Sequence, residues 1–210
     1  MNENEDEIKI ILLGAKGVGK TNLINVFFGA QFQTNPETTS TSYCFEGECN
    51  HNNKSYNNIY YVRYNIWDTA GQEKYRAINK MFIRGSKIIL IVYSIIDRKS
   101  FEEIDFWINY IKEIESNGKY ILALVANKND LYLNQIVMEE EGREAAQKYG
   151  IDFFTTSALT EAESFKEFLN KLIINYIEIM EGKDNKGDKK KNIKINKDNK
   201  NGKPNTKKCC

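Results

Sequence analysis

The chain of 210 residues has no apolar run approaching the roughly 20 residues that span a bilayer, which excludes a transmembrane helix. Its start, Met1-Asn-Glu-Asn-Glu-Asp-Glu7, is acidic and lacks the basic and apolar regions of a secretory signal. Asn2 stands where N-myristoylation demands glycine. Cysteine is scarce. Cys44 and Cys49 lie close together near His51, the single histidine, but they fit no zinc spacing and a fourth ligand is missing. Without a secretory signal a disulfide is not expected either. They read as two reduced thiols in or beside a strand. There is no internal repeat.

The net charge of +1 hides an asymmetry. Residues 181–210 hold 11 Lys and 4 acids, so the remainder of the chain is mildly acidic. The chain therefore divides into an acidic N-terminal extension (1–7), one globular domain (8–180) and a basic tail (181–210). The tail consists of Lys, Asn, Asp and Gly almost without large apolar residues, and is expected to be disordered. Basic tails seek phosphates on nucleic acid or on anionic membrane. The domain shows no basic face and the tail no interleaved aromatics, so no nucleic-acid partner is expected.

Strands and helices alternate along the domain. Ile8 to Leu13, Tyr60 to Trp67, Lys87 to Tyr93, Tyr120 to Asn127 and Ile151 to Thr155 read as strands. Lys20 to Phe28, a helix capped by Ser100, Glu139 to Tyr149 and Glu161 to Met180 read as helices. In the second of these, Phe101, Ile104, Trp107, Ile108 and Ile111 share one face. Such alternation predicts an α/β fold, a mostly parallel sheet with helices on both faces. Ligands of such sheets bind at the carboxyl ends of the strands. An Asn-rich patch, Asn50 to Asn58, reads as a loop or hairpin insertion.

Three motifs follow predicted strands and so converge on that edge. The first is Gly14-Ala-Lys-Gly-Val-Gly-Lys-Thr21. Gly14, Gly17 and Gly19 let the backbone wrap a phosphate with its N–H groups inward. The next helix aims its positive end at the same place. Lys20 adds a charge on the β and γ phosphates, and the Thr21 hydroxyl can ligate Mg²⁺. Lys16, Val18 and Asn22 complete this stretch of the nucleotide-binding set. Alone, the loop leaves ATPases, kinases and GTPases open.

The second motif is Asp68-Thr-Ala-Gly-Gln72. Asp68 can hold Mg²⁺ through a water, Gly71 can offer its N–H to a γ-phosphate, and Gln72 can orient the attacking water. The third is Asn127-Lys128-Asn129-Asp130. Guanine presents two adjacent donors, and the Asp130 carboxylate matches them as a fork. Adenine lacks the ring donor, so a buried carboxylate left unpaired would penalise ATP.

With these motifs in order, residues 8–180 resemble a Ras-superfamily small GTPase, most closely the Rab family. Trp67-Asp-Thr-Ala-Gly-Gln-Glu73, Lys74-Tyr-Arg-Ala-Ile78, Phe82-Ile-Arg-Gly-Ser86 and Leu90-Ile-Val-Tyr-Ser94 carry the likeness. The resemblance implies a P-loop NTPase small G domain with a six-stranded sheet, slow GTP hydrolysis and a GDP/GTP cycle with Mg²⁺. It implies that Thr39 binds Mg²⁺ with its hydroxyl and the γ-phosphate with its N–H. Thr39, Gly71, Gln72 and Lys20 would then be the catalytic set. It also implies that the Phe32 ring packs on guanine, and that Ser157 and Ala158 open a base loop that Leu159 continues. The final pair, Cys209-Cys210, resembles a doubly geranylgeranylated terminus. Implied partners are an exchange factor, an activating protein, a GDP-dissociation inhibitor, an escort protein and effectors. The implied location is the cytoplasmic face of endosome, Golgi or vesicle membranes, cycling with cytosol, in vesicle traffic.

Four features depart from the family pattern. Lys16 occupies a position that is usually small, where a long side chain can crowd Gln72 or an incoming arginine and impair hydrolysis, or can point into solvent. Leu159 replaces the usual lysine. Ser40-Thr41 replaces Ile-Gly after Thr39. The stretch from Thr39 to Asp68 is about six residues longer than usual, with the Asn-rich patch inside it.

Overall fold

A computed structural model describes residues 7–34, 43–53, 58–69, 76–116 and 120–184, with side chains omitted at 50–53, 58–61, 76–79 and 181–184. Six strands form one sheet: β1 (Glu7–Leu13), β2 (Tyr43–Asn53), β3 (Asn58–Asp68), β4 (Ile88–Ser94), β5 (Ile121–Asn127) and β6 (Asp152–Thr155). Their order is β2-β3-β1-β4-β5-β6. Only β2 runs antiparallel to its neighbour. The helices are α1 (Lys20–Phe27), α2 (Arg76–Ile83), α3 (Arg98–Glu102), α4 (Ile104–Ile114), α5 (Glu139–Tyr149) and α6 (Ala162–Asp184). A 3-10 helix spans Asn129–Asn134.

The uninterrupted apolar strands exist because both faces of the sheet are covered. Ile8, Ile10 and Leu12 of β1 join Leu23 and Phe27 of α1 and Phe165, Leu169 and Ile173 of α6 in one core layer. Ile11 and Leu13 of the same strand point the other way, to Ile104, Trp107, Ile108 and Ile111 of α4 and Ala146 of α5. All seven residues of β4 are buried, as its central place requires.

Two details of the helix after β4 differ from expectation, while the Asn-rich patch takes the hairpin alternative. Asp97, not Ser100, caps the helix: its Oδ1 accepts from the Lys99 N–H (3.1 Å) and the Ser100 N–H (3.4 Å). Ser100 lies inside α3, where its hydroxyl accepts from the Ser94 N–H and donates to the Asp97 carbonyl. The expected single helix is divided at Glu103 into α3 and α4. The Asn-rich patch is mostly paired strand, with register running from Tyr43↔Asp68 to Asn53↔Asn58. Among the described residues β1 pairs with β3 from Arg63 onward, and the distal rungs of β2 and β3 extend past that point. Cys44 and Cys49 both lie on β2 and form no disulfide with each other. Their odd spacing sends them to opposite faces of the strand.

Arg98 ties α3 to α5 through a forked pair, Nη1 to Glu141 Oε1 (2.5 Å) and Nη2 to Oε2 (3.0 Å). This pair, with the Met138 N–H as second donor, pulls the Glu141 carboxyl from 4.5 to about 2. A depressed carboxylate stabilises the fold fully above its unfolded value and loses that contribution as pH falls through the folded one. Glu141→Gln should therefore lower the melting temperature at neutral pH. The gap to the parent should close as pH drops from 4.5 toward about 2. A thermal-denaturation series in which it persists undiminished at the acid end would contradict this origin.

Candidate nucleotide site

β1 is where the crossovers part: β3 lies on one side and β4 on the other. The loop leaving such a strand opens onto a crevice. Gly14 there has φ +138°, and a Cβ on it would sit 2.0 Å from the Val92 carbonyl oxygen. Gly19 has φ +100°, and its Cβ would meet Asn127 Nδ2 at 2.4 Å. The loop is thus pressed against β4 on one flank and the third motif on the other. Only glycine permits both approaches.

Lys20 opens α1 and is almost fully buried. Its ammonium donates to the carbonyls of Gly14 (2.8 Å) and Ala15 (2.9 Å), so the side chain folds back over the loop. Burial lowers its pKa to about 8, while the nearby Asp68 carboxylate acts in the opposite sense. An anion arriving in the loop would favour the charged form.

The register Leu12↔Asp68 brings the end of β3 beside the phosphate loop. The Thr21 hydroxyl donates to Asp68 Oδ2 at 2.8 Å. Two hard oxygen groups, one hydroxyl and one carboxylate, are therefore already adjacent. That donor set suits Mg²⁺, which takes few protein oxygens and keeps waters. Thr69 was given no role from the sequence, yet its buried hydroxyl donates to the Leu12 carbonyl at 2.6 Å and locks β3 to β1 just where the second motif departs. A hydroxyl next to a strand-end aspartate is the sequence feature that marks such a lock.

The third motif leaves β5 beside Ser94 of β4. Asn127 is a bracket: Nδ2 donates to the Val18 carbonyl (2.8 Å) and Oδ1 accepts from the Ala158 N–H (3.2 Å). One buried amide thus joins all three loops of the base end. Lys128 takes φ +69°, the only non-glycine residue with positive φ among the described residues. Its pKa is lowered by partial burial, against the opposing effect of Asp97 and Asp130. The Ser157 hydroxyl donates to Asp130 Oδ1 at 2.5 Å and accepts from the Leu159 and Thr160 N–H groups. Asp130 is thereby aimed by a serine that is itself held by the backbone of its own loop.

Asn22 bonds at both ends of its amide to the backbone of Gln33, at 2.8 and 3.1 Å. Its side chain therefore fastens the chain after α1. Phe32 is half-buried against the α1 and α6 core layer. Lys16 and Gly17 are exposed on the loop. Leu159 is 53% exposed beside the base loop. Thr39, Gly71, Gln72, Cys209 and Cys210 lie outside the described residues.

Comparison with known proteins agrees in extent with this architecture. The Ras family model matches residues 9–177. Ras-related protein RGP2 of Oryza sativa subsp. japonica is 33% identical over 171 residues, covering 79% of this chain and 72% of that protein. Ras-related protein Rab-2B of Dictyostelium discoideum is 36% identical over 156 residues, covering 74% of each. Ras-related protein RABA2b of Arabidopsis thaliana is 33% identical over 166 residues, covering 76% and 72%.

Proposed function

The chain belongs to the Ras family of small GTPases, enzymes that hydrolyse GTP to GDP and phosphate, and from that premise we propose that it is a Rab-type switch in intracellular membrane traffic. The observation that carries the reading is the Asn127 bracket with Ser157 behind Asp130. It supports a carboxylate, Asp130, aimed at a guanine edge, while Asn127 of the same motif holds the phosphate loop at Val18. The Rab-type relatives support the traffic role.

In this reading the loop N–H groups and Lys20 hold the β and γ phosphates. Thr21 and Thr39 would hold Mg²⁺, with Asp68 as the nearby carboxylate, and the ion would supply positive charge to offset charge that develops on the phosphates. Gly71 donates its N–H to the γ-phosphate, and Gln72 orients water for in-line attack. Asp130 reads guanine, with Lys128, Ala158 and Leu159 around the base. Exchange and activating proteins set the ratio of GDP to GTP forms, and effectors read the GTP form. A GDP-dissociation inhibitor and an escort protein handle the lipidated chain.

The exposure of Lys16 favours retained hydrolysis over an impaired binding module. Lys16→Gly should leave the single-turnover rate unchanged in a phosphate-release assay. A marked acceleration would support crowding at the γ-phosphate and the impaired reading.

One domain (8–180) followed by a basic segment and two terminal thiols fits a tethered switch. One lipid chain holds a protein only marginally, whereas two chains, or one chain with a basic patch, give stable residence. Lysines near an anionic leaflet add roughly 1 kcal/mol each. Changing both Cys209 and Cys210 to serine should release the chain from membrane pellets to cytosol, with GDP affinity unaltered. A double variant that still fractionates with membranes would defeat the prenyl anchor while leaving the nucleotide reading intact.

A further inference from the structure

Five of the nine exposed large hydrophobic residues among the described residues fall within one stretch of eight: Leu131, Tyr132, Leu133, Ile136 and Met138. Leu133 is 85% exposed and Tyr132 64%. The nucleotide machinery described above uses none of them. Single exposed apolar residues are ordinary, but a cluster of this size marks an interaction surface.

The cluster stands on a fixed frame. The N–H groups of Ile136 and Val137 both donate to the Ile95 carbonyl, at 2.8 and 3.0 Å. Gln135 Nε2 donates to the Val137 carbonyl (2.7 Å), and Arg98 Nη2 to the Ile136 carbonyl (2.6 Å). Val137 is fully buried and anchors the segment to the α4–α5 core layer. The apolar side chains therefore project from a backbone that is already ordered, which lowers the entropy cost of binding. Tyrosine is enriched among interface hot spots, which makes Tyr132 the candidate anchor of the surface.

Charge selects the occupant. Around the segment five acids, Asp130, Glu139, Glu140, Glu141 and Glu144, stand against Lys128, Arg143 and Arg98; Arg98 pairs with Glu141 and Arg143 with Glu139, and the balance stays negative. A second copy of the same face would bring acid to acid. An anionic membrane would be repelled likewise. We infer that the Leu131–Met138 surface docks a separate polypeptide that presents an amphipathic helix with apolar anchors flanked by lysine or arginine. Apolar contact supplies affinity there, and the acidic rim supplies orientation and encounter rate.

The test uses the full chain, isotope-labelled and loaded with GDP and Mg²⁺. Two synthetic amphipathic helices serve as probes, one of leucine and lysine, the other of leucine and glutamate. The Leu/Lys helix should shift backbone amide signals of residues 131–140. Tyr132→Ser combined with Leu133→Asp should weaken it by about tenfold or more, as expected for a lost hot spot. Both positions are exposed, so the variant should keep the parent melting temperature. The inference is overturned if the shifts map elsewhere, if the variant binds like the parent, or if the Leu/Glu helix binds as well. Two further results would overturn it by naming another occupant. One is sedimentation showing a dimer that Leu133→Asp dissociates. The other is a shift of the same amides on truncating residues 185–210, which would identify the chain's own tail.

Discussion

Asp130→Asn should cost guanine nucleotides roughly 10²-fold or more in affinity and should bring xanthine nucleotides above them. The carboxylate offers two charged acceptors to two donors on guanine. Hydrogen bonds to a charged group contribute about 1.5–3 kcal/mol each, and every 1.4 kcal/mol is about tenfold. Xanthine replaces the exocyclic donor with an acceptor, which the asparagine amide can satisfy. The fold should tolerate the change, because the asparagine oxygen can still accept from the Ser157 hydroxyl that now bonds Asp130 Oδ1. Titration calorimetry with GDP and xanthosine diphosphate, beside a melting curve, separates recognition from folding. Equal affinity of the parent chain for GDP and ADP would remove the premise.

A second large effect belongs to Gly14. Alanine there meets two penalties, the φ of +138° and the contact of 2.0 Å with the Val92 carbonyl oxygen. Val92 is a fully buried residue of the central strand, so the neighbour cannot yield. Strained backbone and overpacking each cost about 1–3 kcal/mol, which sums to roughly 2–6 kcal/mol. Gly14→Ala should therefore lower the melting temperature sharply and abolish GDP retention. Gly17 is the internal control: its φ is +79°, but an added Cβ meets nothing within 4 Å. Gly17→Ala should carry only the backbone penalty. If the two variants melt alike, the close approach to β4 is not what demands glycine at Gly14.

Much of the fold was legible because its strongest signals are local. An apolar run such as Ile88–Ser94 has one explanation in a chain of alternating elements, a strand buried on both faces. The helix expected from Glu139 to Tyr149 has those bounds in the structure, with three acids in its first turn and Gly150 in the left-handed region after it. The phosphate loop, Asp68 and the Asn127 motif were legible because each is contiguous in sequence.

What was hidden depends on distant partners. Asparagine is poor in strands, so the patch around Asn50 looked like a loop as readily as a hairpin. Pairing opposite Tyr60 and Tyr61 overrides that preference. Asp97 and Ser100 are both good caps, and only the acceptor needed by the Ser94 N–H draws Ser100 into another role. The bracket at Asn127 was beyond reach for the same reason, since its partners Val18 and Ala158 come from opposite ends of the domain.

The hairpin of β2 and β3 bears on how such a chain tolerates change in length. Its distal rungs, Asn50↔Tyr61 to Asn53↔Asn58, lie beyond the first pair that β1 makes with β3 among the described residues. Each added pair of residues there brings its own cross-strand bonds and asks nothing of the core layers. A longer loop adds closure entropy only as the logarithm of its length. Growth or shrinkage at this hairpin can thus proceed by whole rungs without compensating substitutions inside the domain, so the tip can vary in evolution while the nucleotide edge stays under tight constraint.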